Sequence, residues 1–186
     1  MKKSLLTFVF LLAVTALNAQ TLIKANFQKG DQATYESVAN IKLSVPMAGT
    51  SESINTNSQT KITVKDATAD GYVIEMTTTN IKMEGKQEVA QQTGNMLNQY
   101  LSNVPILLKT DANGKVKDLL NYTEVQTQVS KLAMASIDSL YKAKPEMEKT
   151  LPKYKMAMSI NSLLTKESFI ESAENNSFFI LFGKTL

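Results

Sequence analysis

The stretch Ala33–Met83, ATYESVANIKLSVPMAGTSESINTNSQTKITVKDATADGYVIEMTTTNIKM, decides the fold. In its first part Ala33, Tyr35, Ala39, Ile41, Leu43 and Val45 share one parity, and Thr34, Glu36, Asn40, Lys42 and Ser44 share the other, which is the period of a half-buried strand. The second part repeats the pattern, with Ile54, Thr56, Thr60, Ile62 and Val64 on one side and Asn55, Asn57, Gln59, Lys61 and Lys65 on the other. The third begins with Tyr72, Ile74 and Met76 facing the core and then changes parity at Ile81 and Met83, so a β-bulge is expected near Thr78–Asn80. Pro46–Glu52 and Asp66–Gly71 carry turn chemistry. Sequential strands joined by such short turns pair as antiparallel neighbours, so the stretch reads as a meander.

Beyond the meander the period lengthens. Glu88–Asn103 places Val89, Met96, Leu97, Tyr100 and Leu101 at helical spacing, with Gly94 as an unfavourable interior residue and Pro105 as the stop. Ile106–Thr110, the turn Asp111-Ala112-Asn113-Gly114 and Lys115–Leu120 form a hairpin. Asn121, with Glu124 three residues on, is expected to cap a helix running to about Ala143, whose apolar stripe is Val125, Val129, Leu132, Ala133, Ile137, Leu140 and Tyr141. Pro145 ends it, and Glu146–Tyr154 reads as a loop with at most one helical turn. Met156–Glu171 is a second amphipathic stretch. Asn175-Asn176 reads as a turn before Phe178–Phe182, which is apolar on both parities. As a strand this last run needs a central place in the sheet, or else the chain is a truncated version of a longer one whose later strands are missing.

The resulting fold class is α+β: a curved, half-barrel-like antiparallel meander packed against amphipathic helices. Residues 1–20 read as a signal peptide, with Lys2 and Lys3 before the apolar run Leu5–Leu17 and small Ala19 before Gln20. The apolar run falls short of the roughly 20 residues a spanning helix needs. Residues 21–186 then form a single domain, expected to be exported, periplasmic or extracellular, soluble and without stable membrane insertion. The chain has no cysteine, so it is not expected to be a lipoprotein, and its stability must come from burial rather than disulfides. All 20 basic residues are lysines, of which 18 follow the signal against 17 carboxylates, a balance that gives no attraction to nucleic acid.

With neither histidine nor cysteine, the usual zinc, copper and haem ligand sets, His-based triads and thiol nucleophiles are excluded, and no cofactor is expected. The carboxylate pairs Asp66/Asp70, Glu146/Glu148 and Glu171/Glu174 lie in polar surroundings that favour a solvated surface over acid–base catalysis. No glycine pattern makes a phosphate cradle. Lys142, Lys144, Lys149, Lys153 and Lys155 are interrupted by Glu146 and Glu148, which favours a solvated face over a dock for an acidic partner. Met147, Met156 and Met158 suit core filling or an adaptable apolar rim.

The exported start, the element Phe27-Gln28-Lys29-Gly30-Asp31 before a tyrosine-bearing strand, and the Asp111–Val116 turn feeding a helix resemble secreted Bacteroidota proteins of unknown function. The layout is also similar to that of periplasmic lipoprotein-carrier proteins, a resemblance that implies a curved sheet half-enclosing helices and an apolar cavity. Neither resemblance assigns a residue. The inward parity does: an apolar or lipid-like ligand is expected against Tyr35, Ile41, Leu43, Thr56, Ser58, Thr60, Ile62, Tyr72, Ile74 and Met76, with the cavity opening beside Thr56, Ser58 and Thr60, small and polar where a tight core places Val or Leu. The alternative is an interaction or structural module of the cell envelope that binds another protein by its sheet surface or edge, with no small ligand. An enzyme is not expected. N-terminal sequencing of the protein recovered from the exported fraction of its host should begin at Gln20 or Thr21, and an intact, membrane-embedded Met1 chain would contradict the signal-peptide reading.

Overall fold

The computed structural model describes residues 22–45, 50–85, 88–176, 178–180 and 182–184, with backbone alone for 41–45, 50–52 and 88–89. The expected signal peptide and the Pro46–Gly49 part of the first turn lie outside the described residues. A curved five-stranded sheet, β1 (Gln32–Val45), β2 (Thr50–Thr68), β3 (Gly71–Glu84), β4 (Pro105–Thr110) and β5 (Val116–Leu119), runs antiparallel throughout in sequence order. The helices are α1 (Glu88–Leu101), α2 (Tyr122–Ala143), the single turn α3 (Met147–Thr150), α4 (Lys153–Leu163) and α5 (Lys166–Glu174). The α+β class and the curved antiparallel meander are therefore as the alternation implies.

The parity change in β3 is a bulge. Gln59 faces Thr79 and Asn57 faces Lys82, so Ser58 alone stands opposite Asn80 and Ile81. Asn80 takes φ +55°, a left-handed conformation that asparagine tolerates better than most residues. Helix α1 completes this point: the Asn98 side chain accepts from the Ile81 N–H at 3.0 Å and donates to the Ile81 carbonyl, replacing ladder partners at the bulge. Gly94 is explained by the same contact, since a β-carbon there would lie 3.1 Å from the Met83 amide nitrogen. The helix is held too close to β3 for a side chain at that position. Its end is marked by Asn103 at φ +65°, whose N–H reaches the Thr78 carbonyl at 2.9 Å.

A second register shift, between Val64 and Asp66, keeps β2 extended to Thr68, so the tight turn is Ala69-Asp70 and Asp66 belongs to the strand rather than the turn. On β3, β4 pairs with the Val73–Thr77 part alone. The sheet is thus five strands wide at one end and three at the other. Over the wide end, Ile62, Ile74, Met76, Leu108, Val116 and Leu119 form the core with Val125 of α2 and Phe179. Each such buried aliphatic side chain contributes on the order of 1.5–3 kcal/mol. α1 packs on β3, α2 on α1, α4 on α2 and α5 on β5.

Three expectations are corrected. Asn121 does not cap α2 with its side chain; it accepts from the Leu107 N–H at 2.9 Å and donates to the Pro105 carbonyl at 2.8 Å, satisfying the backbone of β4 where no further strand does so. Met156–Glu171 is not one helix, because Leu164-Thr165 break it: Thr165 N-caps α5 by accepting from Ser168 N–H, and the Leu164 carbonyl accepts from Tyr122 Oη at 2.8 Å and Gln126 Nε2 at 3.1 Å. The run Phe178–Phe182 is not a strand. Its described residues are turns, with the N–H groups of Phe179 and Ile180 both directed to the Asn176 carbonyl.

In the β4–β5 turn, Gly114 at φ +89° passes so close to the N-terminal segment that a β-carbon would meet that of Ala25 at 2.7 Å. The Asp111 carboxylate accepts from the N–H groups of Asn113 (2.9 Å) and Lys115 (3.0 Å) and faces Lys117 Nζ at 3.3 Å. Partial burial works to raise its pKa, but the Lys115 N–H, the Lys117 ammonium and the Asn113 N–H together hold the carboxyl below its ordinary range. Asp118 is lowered chiefly by its ion pair with Lys166 of α5.

Ile62 is 3% exposed while Lys61 beside it is exposed, so Ile62→Asp should lower unfolding free energy by about 3–5 kcal/mol, the range for an uncompensated buried charge. Lys61→Asp should stay within about 0.5 kcal/mol of wild type in denaturant titration, and equal effects would contradict the register. A lowered folded-state pKa means that the unfolded chain binds more protons, so the Asp111 contribution is full above 3.8, the ordinary value, and is lost as pH falls through the folded value. Asp111→Asn keeps an acceptor in the turn and removes that linkage; its Tm should fall less steeply than wild type below about pH 4, and an unchanged slope would contradict the assignment.

Candidate functional site

Directly opposed residues share a face of the sheet, and the register therefore places Tyr35, Thr60 and Thr78 in one row and Ala33, Ile62 and Met76 in the next. The Thr60 and Thr78 hydroxyls hydrogen-bond to each other at 3.1 Å, which satisfies both in a position where neither fills the space of a leucine. Over these rows lies an aromatic cluster brought together from separate segments. Phe27 is at its centre, with ring centroids 5.2 Å from Tyr72, 5.7 Å from Phe178 and 5.5 Å from Phe182, and Phe178 reaches Tyr35 at 5.9 Å. Phe27 and Phe178 are stacked and the other three pairs are edge-to-face; aromatic pairs of either kind contribute about 0.5–1.5 kcal/mol each beyond their burial.

Backbone hydrogen bonds anchor the cluster. Ile23 and the Gly183-Lys184 segment exchange N–H···O bonds of 2.9 Å, Ala25 donates to Asn113, and Gly30 and Asp31 pair with Val64. Tyr72 Oη donates to the Ala25 carbonyl at 3.2 Å. After α5, Asn176 Oδ1 accepts from the Phe178 N–H at 3.0 Å and turns the chain back over the sheet. Between this clasp and the sheet a cleft of about 470 Å³ remains, lined by Phe27, Tyr35, Ser37, Thr60, Ile62, Met76, Asn176, Phe178 and Phe182.

Of the residues expected on the inward face, Tyr35, Thr60, Ile62 and Met76 meet at this cleft. Ile74 is fully buried in the core instead, and Tyr72 stands behind Phe27. Thr56 and Ser58 lie further along β2 and are not among the lining residues; the Thr56 hydroxyl is directed to the Ala39 carbonyl. Ile41 and Leu43 pair in register with Ile54 and Glu52, and their side chains lie outside the described ones. Phe27, Ser37, Asn176, Phe178 and Phe182 were not expected at a site. The spacing of Phe178 and Phe182, four residues apart, is the signal for the last two, since it places side chains on one side of a helical turn.

Other concavities have a different character. A furrow of about 590 Å³, larger than the cleft, runs between Tyr100 of α1 and the Gln126–Asp138 part of α2; Met134 and Ala135 line it together with Gln126, Thr127, Ser130 and the charged Lys131 and Asp138, and it lies in the helix layer rather than on the sheet face. The carboxylates are at the surface: Asp66 pairs with Lys29 at 3.5 Å, Glu174 with Lys115 at 3.9 Å, and Glu148 accepts from the Lys153 N–H. Among the described residues no three His, Cys, Asp or Glu side chains converge as a metal set, and no helix is long and apolar enough to cross a membrane. Comparison with family models, with curated proteins and with solved structures gives no match to this chain.

Proposed function

We propose that the protein is an exported, non-enzymatic envelope protein that binds an apolar, lipid-like ligand in the cleft between the curved sheet and the aromatic clasp. The observation that carries this reading is the cleft itself. Its volume of about 470 Å³ falls within the roughly 300–1,000 Å³ typical of ligand sites, and its walls are apolar and aromatic with a few polar groups. Thr60 is the residue that keeps it open, because its hydrogen bond to Thr78 satisfies a small polar side chain on an otherwise apolar face.

A second reading is favoured by the edge strand. Among the described residues β1 pairs with β2 alone; it runs for 14 residues and carries Val38 at 73% exposure. A partner strand of another envelope protein would add there by main-chain hydrogen bonding.

The mature protein should give saturable fluorescence enhancement with a neutral apolar dye such as N-phenyl-1-naphthylamine. Thr60→Phe, which fills the cleft at an overpacking cost of about 1–3 kcal/mol, should abolish that enhancement while preserving the circular dichroism spectrum. Absence of saturable binding to the wild type, or unchanged binding to a folded Thr60→Phe variant, would overturn the cleft reading in favour of the edge-strand module.

A further inference from the structure

Resting on the cleft reading, we propose that the ligand is an uncharged amphiphile, an acyl chain ending in a hydroxyl- and carbonyl-bearing head of the monoacylglycerol type, and that Ser37 and Asn176 receive that head. Lysines, aspartates and glutamates make up 20% of the sequence, yet none lines the cleft among the described residues. An ionised carboxylate that gives up water against such a lining finds no counter-charge to offset the loss. A free fatty-acid anion would therefore enter without a counter-charge, whereas a neutral head has no such cost.

The polar lining is also specific in its chemistry. Because the Phe178 N–H is a donor, the Asn176 atom that accepts from it is Oδ1, which leaves the Asn176 amide NH₂ to donate. Among the described residues that NH₂ has no protein acceptor, and the Ser37 hydroxyl has no protein partner, whereas the Thr60 hydroxyl is already bonded to Thr78. The cleft thus offers a neutral N–H donor and a hydroxyl that both donates and accepts. An ester carbonyl and the glycerol hydroxyls match these two groups. The apolar body then lies against Ile62, Met76, Phe27, Phe178 and Phe182, which line the rest of the cleft.

Displacement of the bound neutral dye tests this directly. At about pH 8, where a carboxylic acid is ionised, 1-oleoylglycerol and oleate carry the same acyl chain and differ in head charge. With both below their aggregation concentrations, the acylglycerol should displace the dye at a concentration at least about tenfold lower than oleate, a gap of about 1.4 kcal/mol. Ser37→Lys, at an exposed position of β1, should reverse that preference by supplying a cation. Asn176→Asp keeps the acceptor for Phe178 but removes the donor and adds an anion, and should weaken both amphiphiles, the acylglycerol by the lost hydrogen bond and oleate by like-charge repulsion. Equal displacement by the two amphiphiles, or a preference that Ser37→Lys leaves unchanged, would overturn the inference. Dye binding with displacement by neither amphiphile would also overturn it while leaving the cleft reading in place, whereas no dye binding at all would overturn the cleft reading itself.

Discussion

At Asn80 and Ile81 two residues of β3 stand opposite one residue of β2, and the Asn98 side chain holds the peptide groups that this mismatch releases. Much of the architecture depends on that arrangement. Before the bulge, β3 turns Tyr72, Ile74 and Met76 toward the core; beyond it, Met83 stands opposite Thr56 and next to Gly94 of α1. One continuous β2 face is thereby covered by two different bodies, α1 at the narrow end of the sheet and the helices with the aromatic clasp at the wide end. Thr60 and Thr78 sit between these covers. Their mutual hydrogen bond makes a small polar row stable where the two covers do not meet, and the cleft opens beside it.

The wide end is closed by segments far apart in sequence. The Ile23 carbonyl accepts from the Gly183 N–H and the Ile23 N–H donates to the Lys184 carbonyl, and both ends of the described chain press aromatic rings onto one sheet face. A cleft walled in this way needs no loop of its own. Its floor is rigid sheet, and its roof is a cluster of rings whose spacing is set by neighbouring rings as well as by the sheet. Under the proposed reading such walls receive an apolar body, and the polar groups at Ser37 and Asn176 orient it without charge.

The sequence makes some of this legible for physical reasons. Alternation over long strands has a period of two, and a change of parity at Ile81 has no simpler cause than an inserted residue, so the meander and its bulge could be read directly. The β4–β5 turn was legible because Asp-Ala-Asn-Gly carries both a side-chain acceptor and a residue free to take positive φ. Thr60 was legible as a polar gap on an apolar face, whereas Thr56 and Ser58, equally polar, lie outside the cleft because of which segments cover β2. Phe178–Phe182 was misread because five apolar residues satisfy strand and helical-turn spacing alike. The choice is made by Asn176 turning the chain and by Gly183 pairing with Ile23, contacts invisible to local periodicity. Asn121 shows the same ambiguity on a smaller scale, since its amide can serve a helix end or a strand edge and the unsatisfied backbone of Leu107 and Pro105 takes it.

The most direct measurement is of proton contacts in solution by NMR on the mature protein. The aromatic clasp requires nuclear Overhauser effects between the ring protons of Phe178 and those of Tyr35 and Phe27, whose centroids lie 5.9 and 5.7 Å from it. It also requires sequential amide contacts of a turn through Phe178–Ile180. Cross-strand α-proton contacts from this segment to β1, with no ring contacts to Phe27, would show that it is a sheet strand after all and would remove the roof of the cleft.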